Sequence, residues 1–422
     1  MLAVSEASAR ILDKIQPFGA ASVGLTQANG RVLADRVTAG TTSAPWDNSS
    51  MDGYAVRSAD LVASGPNVLQ VVGTIAAGGV ARRPLGAGEA MRIMTGAPVP
   101  PGADAVIRIE DTDQGSERVT IRDLRDVNRN VRRAGEDFHQ GDVLFEQGTE
   151  LHAAHIGVLA SAGISSVTVF RLPRVAIVSS GDELVELAEF WVPESASTST
   201  EATASRIVSS NSWTLGQLIQ DAGGAPVSLG IARDTPQSLR TKLEQARDCD
   251  VVITTGGMSV GDHDHAREVF AELGGELEFW KVRMRPGAPM AFGMLGAMPW
   301  FGLSGNPVSA MITFEIFVRP ALRKMLGHRK LHRKLLPVRL TEAVEIAAPL
   351  THFMRAIVTR DDDGEFVCQL AGSQSSAVLT AMARANALLV VPAGRQSNPA
   401  GSRLNAVPLT DDLQMSEDLG IL

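Results

Sequence analysis

Four stretches of the sequence carry residues whose types and spacing could do chemistry together. SSGDEL at 179–184 places Asp182 and Glu183 after a run of apolar residues, and ARD at 232–234 ends on Asp234. TGGMSVGDHD at 255–264 sets Gly256, Gly257 and Gly261 around Ser259 and ahead of Asp262 and Asp264. LSGNPVS at 303–309 sets Ser304, Gly305 and Asn306 before Pro307. Glycines at the start of a helix let backbone N–H groups approach an anionic ligand closely, and the helix N-terminus adds a partial positive charge. Carboxylates beside such turns are the usual partners of Mg²⁺ held against phosphate oxygens, and Lys281, Arg283 and Arg285 add cations for the same anion. Phosphate chemistry with a hard cation is the reading the four stretches support jointly.

Each piece also has an ordinary structural reading. Asp182 and Glu183 could belong to a turn capping a helix, and Asp234 before Thr235-Pro236 could be an N-cap. Lys281 and Arg285 could lie on a solvated strand face, and His263 and His265 could be exposed residues at a helix start rather than metal ligands. Gly257 to Gly261 also fits G-x-S-x-G, which would make Ser259 a hydrolase nucleophile; the order Ser, then Asp or Glu, then His would be completed by His328, His332 or His352. The sequence has no Walker A stretch, complete GxGxxG or HExxH motif.

The elements that must position these residues follow from hydrophobic periodicity. From Arg174 onward buried strands (RVAIVSSG, PVSLGIARD, DVVITTGG) alternate with helices (NSWTLGQLIQDAGG, TPQSLRTKLEQARD, HAREVFAELGG), which predicts a three-layer α/β domain with a mostly parallel sheet. Strands in ELEFWKVRM, PMAFGML and PWFGL and a long helix from Pro307 to about Leu326 complete it. In an open parallel sheet ligands bind outside the carboxyl ends of the strands, where all four stretches fall. Before this domain, residues 4–15 predict an amphipathic helix. Short runs (NVLQVVGTI, AMRIMTG, DAVIRIE, RVTIRD) between Gly and Pro clusters predict a β-rich region, followed by a helix around His155–Ser161 capped by Gly163. After the basic HRKLHRK, residues 335–410 read as a small β-barrel or sandwich with an Asp363-Gly364 turn. Residues 190–210 are rich in Ser, Thr and Ala and read as a mobile surface loop.

Composition narrows the class. The 422 residues carry 39 Lys+Arg against 47 Asp+Glu, a net charge of −8 that argues against nucleic-acid binding by bulk charge. The length suits about three domains. No apolar run approaches the roughly 20 residues of a membrane span, and the first residues lack the pattern of a signal peptide, so a cytoplasmic location is expected. Cys249 and Cys368 form no CxxC, so protein thiolates are not expected to bind metal.

MDGYA (51–55), MTGAPVPPGADAVI (94–107), RRAGEDF (132–138), SSGDEL, TTGGMSVGDHD, WKVRMRPGAPMAFG (280–293) and LSGNPVSAMITFEIFVRPAL (303–322) occur in an order that resembles the molybdopterin molybdenumtransferases, the MoeA-type proteins related to the C-terminal part of gephyrin. The resemblance spans nearly the whole chain. It implies a linking domain (1–22 and 136–173), a β-rich domain (23–135), the α/β molybdopterin-binding domain (174–328) and a C-terminal β-barrel (329–422). It further implies a homodimer whose site joins the α/β domain of one subunit to the β-rich domain of the other. The implied reaction joins molybdate to the dithiolene sulfurs of adenylylated molybdopterin and releases AMP with Mg²⁺. Asp52 and Thr95 correspond to the second subunit's contribution, Glu183, Asp234 and Asp264 to the acidic residues that hold Mg²⁺ or water, and Lys281 and Arg285 to a cationic pair. Gly256, Gly257, Ser259, Gly261, Ser304, Gly305, Asn306 and Pro307 correspond to the ligand-binding turns. The upstream partner implied is a molybdopterin adenylyltransferase, with neither nucleic acid nor membrane as partner. Arg285 stands where many relatives carry Lys, Ser304 replaces the first proline of an LPGNP turn, and Ser209-Ser210-Asn211 replaces Asp-Ser-Asn. These departures leave open a second reading, a non-catalytic dimeric scaffold of the same fold.

Overall fold

The computed structural model describes residues 1–190, 206–257 and 266–414. The chain divides into two compact units, one of residues 1–21 and 170–422, the other of residues 22–169.

Helix α1 (Val4–Lys14) opens the first unit and buries Ala7 and Ile11, one turn apart on its apolar face. The second unit is built on strands β1 (Gly53–Val56), β2 (Asn67–Ile75), β3 (Glu89–Ile93), β4 (Ala105–Arg108) and β5 (Arg118–Ile121). They form one sheet in the order β4-β1-β3-β2-β5, antiparallel except for β2 beside β3. Successive residues serve opposite faces, as a two-residue period requires. Tyr54 and Val56 enter one core with Leu69 and Ile107, while Ala55 enters another with Met91, Ile93 and Val106. Helix α2 (Ala153–Ser161) ends at Gly163, whose φ of +76° provides the left-handed turn expected there.

The rest of the first unit begins with an α/β layer structure. Its elements are β6 (Arg174–Ser180), α3 (Ser210–Asp221), β7 (Ala225–Ala232), α4 (Pro236–Gln245), β8 (Val251–Thr255), α5 (Ala266–Glu272), β9 (Gly275–Lys281), β10 (Pro289–Leu295) and β11 (Met298–Leu303). The six-stranded order is β7-β6-β8-β11-β10-β9, parallel from β7 to β11 and antiparallel over the last two pairs. Val175, Ile177, Val251, Ile253, Phe301 and Leu303 face α1, α3 and the helical segment 307–325, while Ala176, Val178, Val252 and Trp300 face α4 and α5. Three layers result. The segment predicted as one long helix is instead α6 (Pro307–Thr313), one π-helical stretch (Phe314–Val318) and α7 (Arg319–Met325). Thr313 Oγ1 donates back to the Ser309 and Ala310 carbonyls where the π stretch begins, a bond that competes with regular helix geometry.

Strands β12 (Leu336–Leu340), β13 (Thr351–Arg360), β14 (Phe366–Leu370), β15 (Ala387–Val391) and β16 (Arg403–Pro408) close into a barrel, with helix α8 (Leu379–Arg384) between β14 and β15. The ring runs β13-β14-β12-β16-β15 and returns to β13. Val338, Ala356, Val358, Leu389 and Ala406 fill it together with Cys368, whose thiol burial pushes up to about 12. Burial also raises the thiol of Cys249, so neither cysteine presents a thiolate.

Most of the Ser/Thr-rich stretch at 190–210 lies outside the described residues. Its C-terminal end is not loop: Ile207–Val208 pairs in parallel with Leu184–Val185, and Ser210 already opens α3. Among the described residues no helix is long and apolar enough to cross a membrane.

Candidate active site

The parallel strands β6, β7, β8 and β11 end at Ser180, Ala232, Thr255 and Leu303 along one edge of the sheet. The connection after β6 leads to α3 on one face, and the connection after β8 leads to α5 on the other. Neighbouring strands that send their chains to opposite faces leave a crevice between them, where open α/β sheets bind ligands. A cleft of about 670 Å³ occupies this place. Ser180, Glu183, Asp234, Gly256, Gly257 and the Ser304–Pro307 turn line it.

Gly256 fixes the floor. It has φ +87°, and a Cβ there would stand 2.3 Å from the Ser180 carbonyl oxygen, so only glycine lets β8 turn directly against the end of β6. The Gly256 N–H donates to the Leu303 carbonyl at 3.3 Å, joining the turn to β11 as well. The Ser304–Pro307 turn is held at one side by Asn211, whose Nδ2 donates to the Gly305 carbonyl at 2.8 Å. Asn211 is 7% exposed, and its Oδ1 is buried without a hydrogen-bond partner among the described residues. Beneath it the hydroxyls of Ser179, Ser209 and Ser212 bond one another at 2.8 to 3.0 Å. Ser209 stands at the N-cap of α3 yet makes no capping bond, since its hydroxyl is used in this triangle.

Asp234 is not the helix cap that its position next to Thr235-Pro236 would allow. Thr235 caps α4 by accepting from the Ser238 N–H at 3.3 Å, which leaves the Asp234 carboxylate directed elsewhere. Asp234 Oδ1 accepts from Ser180 Oγ at 3.1 Å and Oδ2 from the Asp182 N–H at 3.4 Å. Glu183 follows Gly181 so closely that a Cβ on Gly181 would lie 2.5 Å from Glu183 Oε2. The cleft thus carries two carboxylates on rigid turns.

Of the residues singled out by sequence, Glu183, Asp234, Gly256, Gly257, Ser304, Gly305, Asn306 and Pro307 meet in this cleft. Lys281 ends β9 at the same edge of the sheet, in register with Pro289, itself a cleft residue. Four strand spacings separate β9 from β6, roughly 19 Å, and Lys281 does not line the cleft. Arg285 lies further on, in a short strand that pairs with Thr351 and His352 of the barrel. Ser259, Gly261 and Asp264 lie outside the described residues, as do Asp262, His263 and His265. Asp52 and Thr95 belong to the second unit, where Asp52 Oδ1 accepts from both the Thr95 N–H and the Thr95 hydroxyl at 2.7 Å. These two bonds hold the Asp52 carboxyl below the usual carboxylate range. Asn211, Thr255, Pro289 and Ala377 also line the cleft and were not singled out. Asn211 had a signal in its place at a helix start; Ala377 comes from beyond β14 and had none.

Among the described residues no three His, Cys, Asp or Glu side chains converge at metal-holding spacing. Glu183 and Asp234 nevertheless supply the hard oxygen donors that suit Mg²⁺, an ion that takes one or two protein carboxylates and completes its shell with phosphate oxygens and water.

Residues 2–163 match the family model of the MoeA N-terminal region (domain I and II), residues 176–324 that of a probable molybdopterin binding domain, and residues 337–409 that of the MoeA C-terminal region (domain IV). The chain is 33% identical over 423 residues to a molybdopterin molybdenumtransferase of Staphylococcus aureus (strain COL), covering 99% of this chain and 97% of that protein. It is 37% identical over 382 residues to the protein of the same name from Nostoc sp., covering 88% and 85% of the two chains. The crystal structure of the molybdopterin biosynthesis MoeA protein from Pyrococcus horikoshii superposes with a TM-score of 0.79 at 29% identity, covering 97% of this chain and 99% of that one. With these full-length matches and a cleft on the segment that matches the molybdopterin binding domain, the chain belongs to the molybdopterin molybdenumtransferase family, the MoeA-type enzymes of molybdenum cofactor biosynthesis.

Proposed function

We propose that this enzyme takes adenylylated molybdopterin and molybdate as substrates, forms bonds from molybdenum to the two dithiolene sulfurs while one molybdate oxygen leaves with the two thiol protons as water, and hydrolyses the phosphoanhydride. The observation that supports this best is the pairing of Glu183 and Asp234 with the glycine-turned backbone of Gly256 and Gly257 in one cleft. In the hydrolytic step a water oxygen bonds to one phosphorus while the bond from that phosphorus to the bridging oxygen breaks. The water's proton passes to a carboxylate of the acidic set, and AMP leaves. Donors fixed before the reaction lower the barrier because they need no reorganisation as charge builds on the oxygens, and removing one such group commonly costs about 10²–10³-fold in rate. When bound, Mg²⁺ would be held by Glu183 and Asp234 and would neutralise charge on the anhydride oxygens. Sulfur for the metal comes from the pterin, which agrees with two buried cysteines.

The remaining assignments complete the proposal. Asp264, Ser259 and Gly261 belong to the turn after Gly257; Asp52 and Thr95 of a second copy complete the cleft in a homodimer; Lys281 and Arg285 attract the anionic substrates from its margin. An adenylyltransferase supplies the activated pterin, and the reaction takes place in the reducing cytoplasm, where dithiolene sulfurs persist.

The test is release of AMP from adenylylated molybdopterin with molybdate and Mg²⁺, followed by chromatography, for the wild type and Asp234→Asn. Wild-type turnover with at least a 100-fold loss in the variant is expected. No release above the variant's level would overturn the proposal and leave the scaffold reading. Light scattering tests the homodimer against the 44.6 kDa chain mass.

A further inference from the structure

We propose that Asp182 and Arg233 are positioning residues that bind the loops after β6 and β7 into one frame and so set the orientation of Glu183 and Asp234. The inference rests on the functional reading above but concerns residues that line neither the reacting groups nor the cleft proper.

Arg233 Nη1 donates to the Asp182 carbonyl at 3.1 Å and to the Leu184 carbonyl at 3.2 Å. One nitrogen thus grips the backbone on both sides of Glu183. The Glu183 carbonyl between them accepts from the Ile207 N–H at 2.9 Å, so three successive carbonyls are fixed and the Glu183 side chain leaves from an anchored backbone. Arg233 is anchored in turn, because its N–H donates to Ser238 Oγ at 2.9 Å in the first turn of α4.

Asp182 works in the opposite direction. Its Oδ1 accepts from the Asp234 N–H at 3.2 Å, while its own N–H donates to Asp234 Oδ2 at 3.4 Å. This reciprocal pair, with Ser180 Oγ on Asp234 Oδ1 at 3.1 Å, leaves Asp234 little freedom to turn. Asp182 is absent from the cleft lining, whereas Glu183 and Leu184 on either side of the next bond belong to it. The arrangement asks Asp182 for an acceptor oxygen rather than for its charge. It asks Arg233 for donors on one nitrogen at the end of a long stem. Two carboxylates that arrive on different loops must hold a common geometry for catalysis, and a displacement of about 1 Å can cost about 100-fold in rate.

The experiment uses the full-length enzyme and two readouts. The first is kcat and KM for AMP release from adenylylated molybdopterin. The second is amide hydrogen exchange over residues 181–185, 206–208 and 232–235. Arg233→Met keeps the stem and removes the donors; it is expected to lower kcat by about 10- to 100-fold with KM within about threefold, and to speed exchange in all three segments. Arg233→Lys, which keeps N–H donors on one nitrogen, should recover part of both effects. Asp182→Ala should behave like Arg233→Met, and Asp182→Asn, which keeps the acceptor, should recover most of the loss. Unchanged exchange and kcat in Arg233→Met would overturn the inference. So would a change in KM alone, which would make Arg233 a substrate-binding group, or equal losses in Asp182→Asn and Asp182→Ala, which would make the Asp182 charge the active property. If the wild type releases no AMP, the functional reading fails, while the exchange comparison still decides whether the frame exists.

Discussion

Replacing each of three glycines of the cleft by alanine should separate two physical costs that usually come mixed. At Gly256 the φ of +87° disfavours any side chain, and the added Cβ would meet the Ser180 backbone at 2.3 Å. At Gly257 φ is +60° but the nearest atom of the described residues to an added Cβ is 3.9 Å away, an ordinary contact. At Gly305 the backbone is not left-handed and the nearest atom, the Gly256 Cα, lies 3.4 Å away. The left-handed conformation costs a non-glycine residue roughly 1–2 kcal/mol. Forcing atoms into packed backbone adds roughly 1–3 kcal/mol. Gly256→Ala is therefore expected to lose about 2–5 kcal/mol, Gly257→Ala about 1–2 kcal/mol and Gly305→Ala about zero. At about 2–4 °C per kcal/mol for a domain of this size, Gly256→Ala should melt roughly 4–20 °C below the wild type. Scanning calorimetry measures the order, and AMP release measures its effect on function. Displacing the Ser180 carbonyl should also disturb the Ser180 bond to Asp234, so Gly256→Ala should lose activity even at temperatures where it is folded. If Gly257→Ala were as destabilising as Gly256→Ala, the clash with Ser180 would have no part in the cost and the reasoning from close approach would be wrong.

Other outcomes follow from single groups. Arg355 is 1% exposed, donates to the Ser373 and Ser375 carbonyls at 2.8 and 3.1 Å, and its Nε has no partner among the described residues. Arg355→Ala should cost about 3 kcal/mol in urea unfolding, by cavity and by orphaned carbonyls, and Arg355→Met less; an unchanged midpoint in both would contradict this. Burial holds the His352 imidazole below the ordinary histidine value of 6.5, against a backbone bond at Ala348 that raises it and with Arg285 lowering it further. The unfolded chain then binds the extra proton first, so the His352 contribution is complete above pH 6.5 and is lost as pH falls from there through the folded value. His352→Phe should flatten the difference between unfolding midpoints at mildly acid and neutral pH, and an unaltered slope would refute it. Asn211→Leu removes both the bond to Gly305 and the Oδ1 that has no partner among the described residues, so stability should change by less than about 1 kcal/mol while AMP release falls. A loss above about 2 kcal/mol in urea unfolding would show that the carboxamide contributes to folding rather than to placing the Ser304–Pro307 turn.

Much of the scaffold was legible in the sequence because the causes are local. The continuous apolar runs in RVAIVSS and VVITT specify strands buried on both faces, and Gly223, Thr235 and Pro236 mark helix ends, all through interactions within a few residues. Placing the acidic loops at the carboxyl ends of parallel strands needed only the topological rule that such sheets obey. The π stretch inside the last long helix was not legible, since it depends on a threonine hydroxyl choosing a carbonyl over solvent.

What the sequence by itself determined is the set of elements, their layering, and the glycines and carboxylates available to the cleft. Only the tertiary structure decided that Thr235 rather than Asp234 caps α4, that Lys281 stands four strands away from β6, and that Arg233 reaches across to the backbone around Glu183. Hydrophobic period and turn chemistry act over a few residues, whereas strand order and register set which distant carbonyl, amide or side chain arrives within 3 Å, and that choice is made by packing the whole sheet at once.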